Sequence, residues 1–524
     1  MRTKRDVSGY RRVCFRPELT ECPRCGARLR RSHNAWRKGI QTLRGNVLAT
    51  SVAYACANPG CPKPAVYRSA EAEALSVKHR TYGADVVVGV GHQRHYEHRG
   101  VPEIAGDLRN RGLEISEREV YELSRVFEEL LACRAAALTP DFYDAVEANG
   151  GIVLAVDGVQ PETGNSTLYV LQDVLTRQVL HAEYLDNSSS AHVAALLEHV
   201  KALGLPILAV VSDHPHSIRL AVGAALPGVP HQFCHFHVLR NACQPALDLD
   251  RNLKKETRKA VRGLNPLETR LANRDDPDAG RVLTACLLLR SLLVAPSTVA
   301  FNWGGLEVFE RLQRLDALVQ RLLARRPDPD LERLGRLTAR WARVQDAYDR
   351  VRGLAAYADE ASRILALPAR GGAAAVEARL RAFVGRLRDD AASGVEPEAL
   401  EHAAKILESH WPGLFHCHRD PRRVPRTNNQ LEVTIRRVKT GYRRATGRRA
   451  WDAFVAAHGR SVFLLPPDAS RDDLLERAEA ADRDEFAERW RAFEARRGRL
   501  RVLHVASKDF DAALDGLEAE WARA

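Results

Sequence analysis

Only one methionine occurs in the 524 residues, aromatic residues make up 6%, and no apolar stretch is long. None approaches the roughly 18 to 20 consecutive apolar residues of a membrane-spanning helix, so no span is expected. The opening "MRTKRDVSGYRRVCF" is basic but has no apolar centre, which argues against a secretory signal and makes the cytoplasm the expected location. Ten cysteines are too few and too unevenly spread for a disulfide framework, and metal binding is the better use for the four grouped near the N-terminus. Internal repeats and low-complexity segments are absent, which excludes solenoids and extended disordered linkers.

What is abundant is arginine. The net charge is +12, and Arg far outnumbers Lys. Guanidinium groups pair bidentately with phosphate oxygens, so nucleic acid is the leading partner. An Arg- and Ala-rich chain with one Met also reflects GC-rich coding, so the position of the charge has to decide. At this length several domains are expected, and 45% hydrophobic residues suffice to bury them.

"CPRCGARLRRS" (Cys22, Cys25) and "CANPGCP" (Cys56, Cys61) are two short cysteine pairs, each in a Gly- or Pro-containing turn, with β-prone sequence between them. That arrangement suits two knuckles closing a tetrahedral thiolate site, a zinc ribbon over residues 1–75. Over 76–148, "VPEIAGDLRNRGLEISEREVYELSRVFEELLA" predicts helix, turn and helix, the second opened by Ser116 with Glu119 three residues on, a capping box. A helix-turn-helix contacting DNA is expected there. From 149 to 238 the period changes to three short strands ("GGIVLAVDGVQ", "STLYVLQDVLT", "QVLHAEYLD"), then helix, apolar strand, helix and strand, as in a sheet covered on both faces. Residues 239–418 read as all-helical. After them come 419–468, holding "TNNQLEVTIRRVK", and a charged helical tail over 469–524, either a solvated bundle or an oligomer contact.

Asp157 ends the apolar run "IVLAVDG", and Asp213 ends "ILAVVSD". One acid at a strand end is an ordinary turn residue. Two, on strands expected to be neighbours, repel unless a cation holds them, as hard divalent ions are held by carboxylates and substrate phosphates. Asp173 and Glu183, on the same meander, read as solvent-facing. The βββαβα order with these acids resembles the RNase H-like core of DDE transposases. "FCHFHVLRNA", with Cys234 and His237, is similar to the Cys-x-x-His block of Mutator-like and related bacterial insertion-sequence transposases. The family's third acid follows a helical insertion, and in "TNNQLEV" it matches Glu432. His214 and Pro215 stand where the family often has a small residue.

The resemblance implies an α+β multidomain chain: an RNase H-like mixed-sheet core interrupted by an all-α insertion, preceded by the zinc ribbon and helix-turn-helix. It further implies a polynucleotidyl transferase with Asp157, Asp213 and Glu432 holding Mg²⁺ or Mn²⁺, and structural Zn²⁺ at Cys22, Cys25, Cys56 and Cys61. The partners would be transposon ends and target DNA, without a membrane, and the chain would be a homo-oligomer near the bacterial nucleoid. Candidate phosphate contacts are Arg422, Arg423, Arg426, Arg436, Arg437, Lys439, Arg443, Arg444, Arg448 and Arg449, which flank Glu432. Trp303 is a candidate for base stacking, against a core role. Cys234 and His237 either pack the last strand or, with His231 and His235, bind a second metal; His416, Cys417 and His418 form another cluster. The rival readings are a domesticated, non-catalytic DNA-binding protein and an RNase H-like nuclease or resolvase.

Overall fold

A computed structural model describes residues 6–61, 66–78, 80–160, 166–213, 216–294, 300–369 and 371–522. His214 and Pro215 lie outside them. The protein is α+β, 61% helical, with two mixed sheets. Among the described residues, no helix is long and apolar enough to cross a membrane.

The first sheet is built from β1 (Arg11–Phe15), β2 (Leu29–Ile40), β3 (Val47–Cys56) and β4 (Val66–Tyr67). β3 is central: it pairs parallel with β1 and antiparallel with β2 and β4. Its apolar run "VLATSVAYAC" is largely buried, whereas β2, rich in Arg and Lys, is exposed along half of its length.

The second sheet has the order β7-β6-β5-β8-β9. β5 (Ile152–Val159), β6 (Thr167–Asp173) and β7 (Val179–Leu185) form the antiparallel meander, and β8 (Ile207–Ser212) and β9 (His231–Phe233) complete it. Ile152 to Val156 are each 0% exposed, so β5 is buried on both faces until Asp157, where it emerges. One face of the meander shares a core with helices Val101–Asn110 and Glu117–Leu131, through Leu168, Val170, Ile104, Leu123 and Phe127. The other face is covered by helices Ser190–Lys201 and His216–Ala225, through Ile152, Leu154, Leu197 and Val222. Helix Ala84–His95 approaches Glu117–Leu131 so closely that a Cβ on Gly91 would lie 2.1 Å from Phe127 Cγ.

This packing includes both helices expected as a helix-turn-helix. Both helices form, and Ser116 and Glu119 make the capping box. The second helix, however, is buried at every position from Leu123 to Leu131. Its apolar residues Val120, Leu123, Phe127 and Leu130 form one stripe, and the opposite side is buried through polar pairs, Glu128 with His458 and Glu129 with Ser461, so this part of the helix is a core element. Asp173 is likewise not solvent-facing: it is 0% exposed, and its carboxylate accepts from Val153 N (2.9 Å), Thr176 N (2.9 Å) and Thr176 Oγ1 (2.6 Å). It organises the turn after β6. Glu183, half-buried, pairs with Arg460. The presumed tail also begins inside: Leu474, Ala478 and Phe486 are buried in the same core as Phe127. Only its far end exposes apolar side chains, among them Val502, Phe510 and Trp521.

By compactness the chain divides into two units. The first comprises residues 1–210, 215–229 and 428–524, and the second 211–214 and 230–427. The expected all-helical stretch lies within the second, and its described residues from 239 to 418 contain helices and no strand. There the Asp250 carboxylate, 4% exposed, accepts from Gly305 N (2.9 Å) and Leu306 N (3.0 Å), satisfying the start of helix Gly304–Arg325.

Candidate functional site

In the first unit, helix Asn429–Thr446 follows Asn428, whose side chain makes no capping bond to the helix and whose Nδ2 instead donates to the Val156 carbonyl at 3.4 Å. These residues are 272 apart in sequence, and Val156 immediately precedes Asp157. One turn further in, Thr434 Oγ1 meets the Gln172 amide (3.0 and 3.2 Å), a buried polar link to β6, while Leu431 is fully buried. The helix therefore lies on the meander with Leu431, Thr434 and Ile435 inward, and Glu432 in its first turn. Asp157 and Glu432 are both half-buried. Asp157 Oδ1 accepts from its neighbour Gly158 N at 2.8 Å. A carboxylate in a helix's first turn is favoured by the helix dipole.

Asp213 belongs to the second unit, directly after β8. The preceding Ser212 is buried, its Oγ 2.9 Å from His231 Nε2, and its carbonyl accepts from Cys234 N at 2.8 Å.

The cations divide by position. Arg436, Arg443, Arg444, Arg448 and Arg449 in the first unit are exposed, as are Arg422 and Arg423 in the second. Arg426 is half-buried, and Lys439 lies over the Trp451 ring, 5.3 Å from its centroid. Arg437 departs from the expected role. Its Nη2 turns inward to the Leu465 carbonyl (3.5 Å), and burial holds its pKa below the ordinary arginine value. It is half-buried, next to Val438, and lines a cavity with Arg94, His98 and Gly441.

Among the described residues, two groups of three or more potential ligands bring their donor atoms within 4.8 Å of one another. The first is Cys22, Cys25, Cys56 and Cys61. Tetrahedral zinc thiolates place sulfurs about 3.8 Å apart; Cys25 and Cys56 Sγ are 3.5 Å apart, and none of the four cysteines is in a disulfide. The Gly26 N–H donates to the Cys22 carbonyl (2.8 Å) with Gly26 at φ +68°, so glycine is needed to turn this knuckle. Hydrogen bonds from the Tyr67 hydroxyl and the Arg24 backbone N–H bring the Cys22 thiol down to about 6, favouring the thiolate a metal binds. These four cysteines could bind zinc.

The second group is His235, Cys417 and His418, all buried, in the second unit. Burial pushes the Cys417 thiol up to about 12 and His235 down to about 4. Cys234 and His237 belong to neither group. Cys234 is 1% exposed and begins helix His235–Ala242, and His237 stacks edge-on against Phe236. Trp303 begins helix Gly304–Arg325, half-buried against Phe301 in an apolar cluster.

Sequence reading missed the Asn428 contact and the Gln172–Thr434 link. The Asn-Asn pair ahead of a helical period was the available signal for the first, since Asn is a favoured N-cap. The second carried none, because the partners lie 262 residues apart. No family model matches the chain, and no curated protein matches it in sequence.

Proposed function

We propose that the protein is a DNA transposase of the DDE type, cutting at the ends of its element and joining them to target DNA. The observation that carries this reading is the docking of the Glu432 helix on β5. One hydrogen bond, Asn428 to Val156, lies four residues from Glu432 and one from Asp157.

Further support comes from the strand order. β5, which carries Asp157 two residues before its end, and β8, which Asp213 follows, are neighbours in the sheet, an order that suits an RNase H-like core. Ile152 N donates to the Pro206 carbonyl (2.8 Å), tying the start of β5 to the start of β8, so the two strands run the same way. The reading requires Asp213 to join Asp157 and Glu432 at one ion. An all-oxygen set of two Asp and one Glu fits Mg²⁺ or Mn²⁺ rather than zinc. Such ions, when bound, supply activation of an attacking water or 3′-hydroxyl and stabilisation of the leaving oxygen. Asp157 and Glu432 would hold their carboxylates at the sheet's edge, Asn428 and Thr434 would fix the helix that carries Glu432, and the exposed arginines beyond it would hold the DNA backbone. The four N-terminal cysteines would hold a structural zinc in a ribbon that helps to bind the element's ends.

The test is strand transfer in Mg²⁺ on DNA carrying the inverted repeats that flank the coding sequence, comparing the natural chain with Asp157→Ala. Joining by the former and not the latter is expected. Robust joining by Asp157→Ala would overturn the mechanism, and cleavage without joining by the natural chain would favour the nuclease.

A further inference from the structure

The second unit contains a buried cluster for which the proposed transposition chemistry has no use. His235, Cys417 and His418 are 1%, 0% and 6% exposed, and their potential ligand atoms lie within 4.8 Å of one another. The His235 and His418 rings are 5.7 Å apart between centroids, and Cys417 Sγ is 3.8 Å from His235 Nε2. A sulfur and a nitrogen sharing a tetrahedral zinc are about 3.6 Å apart.

Hydrogen bonding within the cluster is incomplete. Neither ring nitrogen of His418 has a hydrogen-bond partner, and nor does His235 Nδ1, although all three atoms are buried. Buried polar groups of a native protein are almost always paired, so three unpaired imidazole nitrogens beside a thiol call for a ligand. Two backbone carbonyls face the His235 ring: Leu414, 2.8 Å from its Nε2 and 3.9 Å from Cys417 Sγ, and Leu365.

We propose that His235, Cys417 and His418 form a second metal site, for a borderline-soft divalent ion such as Zn²⁺, separate from both the four cysteines and the three acids. A thiolate and two neutral imidazoles are the donor set such an ion prefers, and three protein ligands leave its fourth position to a small ligand such as water. The thiol proton leaves to solvent as the Cys417 sulfur–metal bond forms. His235 directly follows Phe233 and Cys234 at the end of β9, and Cys417 lies 182 residues later, just before the second unit ends at Thr427. An ion here would clip together the two ends of the helical stretch. Closing so long a loop is where a cross-link constrains the unfolded chain most.

The test uses the full-length chain and metal content, and needs no DNA activity. In Cys25→Ser/Cys56→Ser, which leaves the proposed ligands intact, about one equivalent of Zn²⁺ per chain should remain. Replaced by Co²⁺, it should give visible d–d bands and a charge-transfer band of single-thiolate intensity. Adding Cys417→Ala and His418→Ala should remove both metal and bands. Absence of bound metal in Cys25→Ser/Cys56→Ser would overturn the proposal, as would its retention after the further substitutions. Should the quadruple variant fail to fold, the metal count and the thiolate band of the double variant decide alone.

Discussion

Replacing Arg443, Arg444, Arg448 and Arg449 together by Gln should weaken DNA binding in a way that salt exposes. All four are exposed, beyond or at the end of the Glu432 helix. Each phosphate neutralised contributes about 0.9 to the slope of log affinity against log salt, so losing four should reduce that slope by roughly 3.6. Between 50 and 200 mM salt, the natural chain should therefore lose about 150-fold more affinity than the variant does. Fluorescence anisotropy with a labelled duplex over that range measures both slopes. Arg437→Gln is the internal control: its guanidinium points to the Leu465 carbonyl, so the slope should be unchanged while thermal stability falls. An unaltered slope in the quadruple variant, or an equal effect from Arg437→Gln, would refute the assignment.

Three further outcomes are expected. Burial alone would raise the Glu128 carboxyl, but the facing His458 (2.6 Å) and His95 (3.0 Å) outweigh it and hold the group well below the usual carboxylate range. A depressed folded-state pKa gives stability that is present above the unfolded value near ~4.3 and lost as pH falls through the folded one. Glu128→Ala should cost about 3 to 5 kcal/mol in urea unfolding at pH 7, and the gap should narrow below about pH 4; a pH-independent gap would contradict this. Asp250→Ala, which strips the buried cap from Gly305 and Leu306, should destabilise the second unit by about 2 to 4 kcal/mol, read from hydrogen exchange in helix Gly304–Arg325. Chelation of the four-cysteine site should open residues 6–61 to trypsin at Arg24 and Arg28 before the rest of the first unit is cut; uniform cutting would place the metal's effect elsewhere.

Much of the architecture was legible because local periodicity governs it. Short β-prone runs between Pro, Gly and Asn turns marked β5 to β7, an unbroken apolar run marked β8, and Ser116 with Glu119 marked a helix start at the position observed. The cysteine pairs were legible because a thiolate site needs short, turn-borne spacings. What sequence could not supply is which face a helix finds covered. Glu117–Leu131 has the pattern of a helix-turn-helix element, and its polar side is buried only because residues more than 300 positions away, His458 and Ser461, pair with Glu128 and Glu129. Asp173 and Arg437 looked exposed because charged residues usually are, yet each is turned inward by partners distant in sequence or space. The His235, Cys417 and His418 cluster was visible only as two separate His-rich stretches, since 182 residues separate them.

The most direct test of joint metal holding by Asp157, Asp213 and Glu432 is a metal-specificity switch. A cysteine thiolate binds Mg²⁺ poorly and Mn²⁺ better, so Asp157→Cys changes the metal preference at one ligand position only. Strand transfer by this variant should be absent in Mg²⁺ and restored in Mn²⁺, with Glu432→Cys behaving alike. Equal activity of Asp157→Cys and the natural chain in Mg²⁺ would contradict a metal-holding role for Asp157.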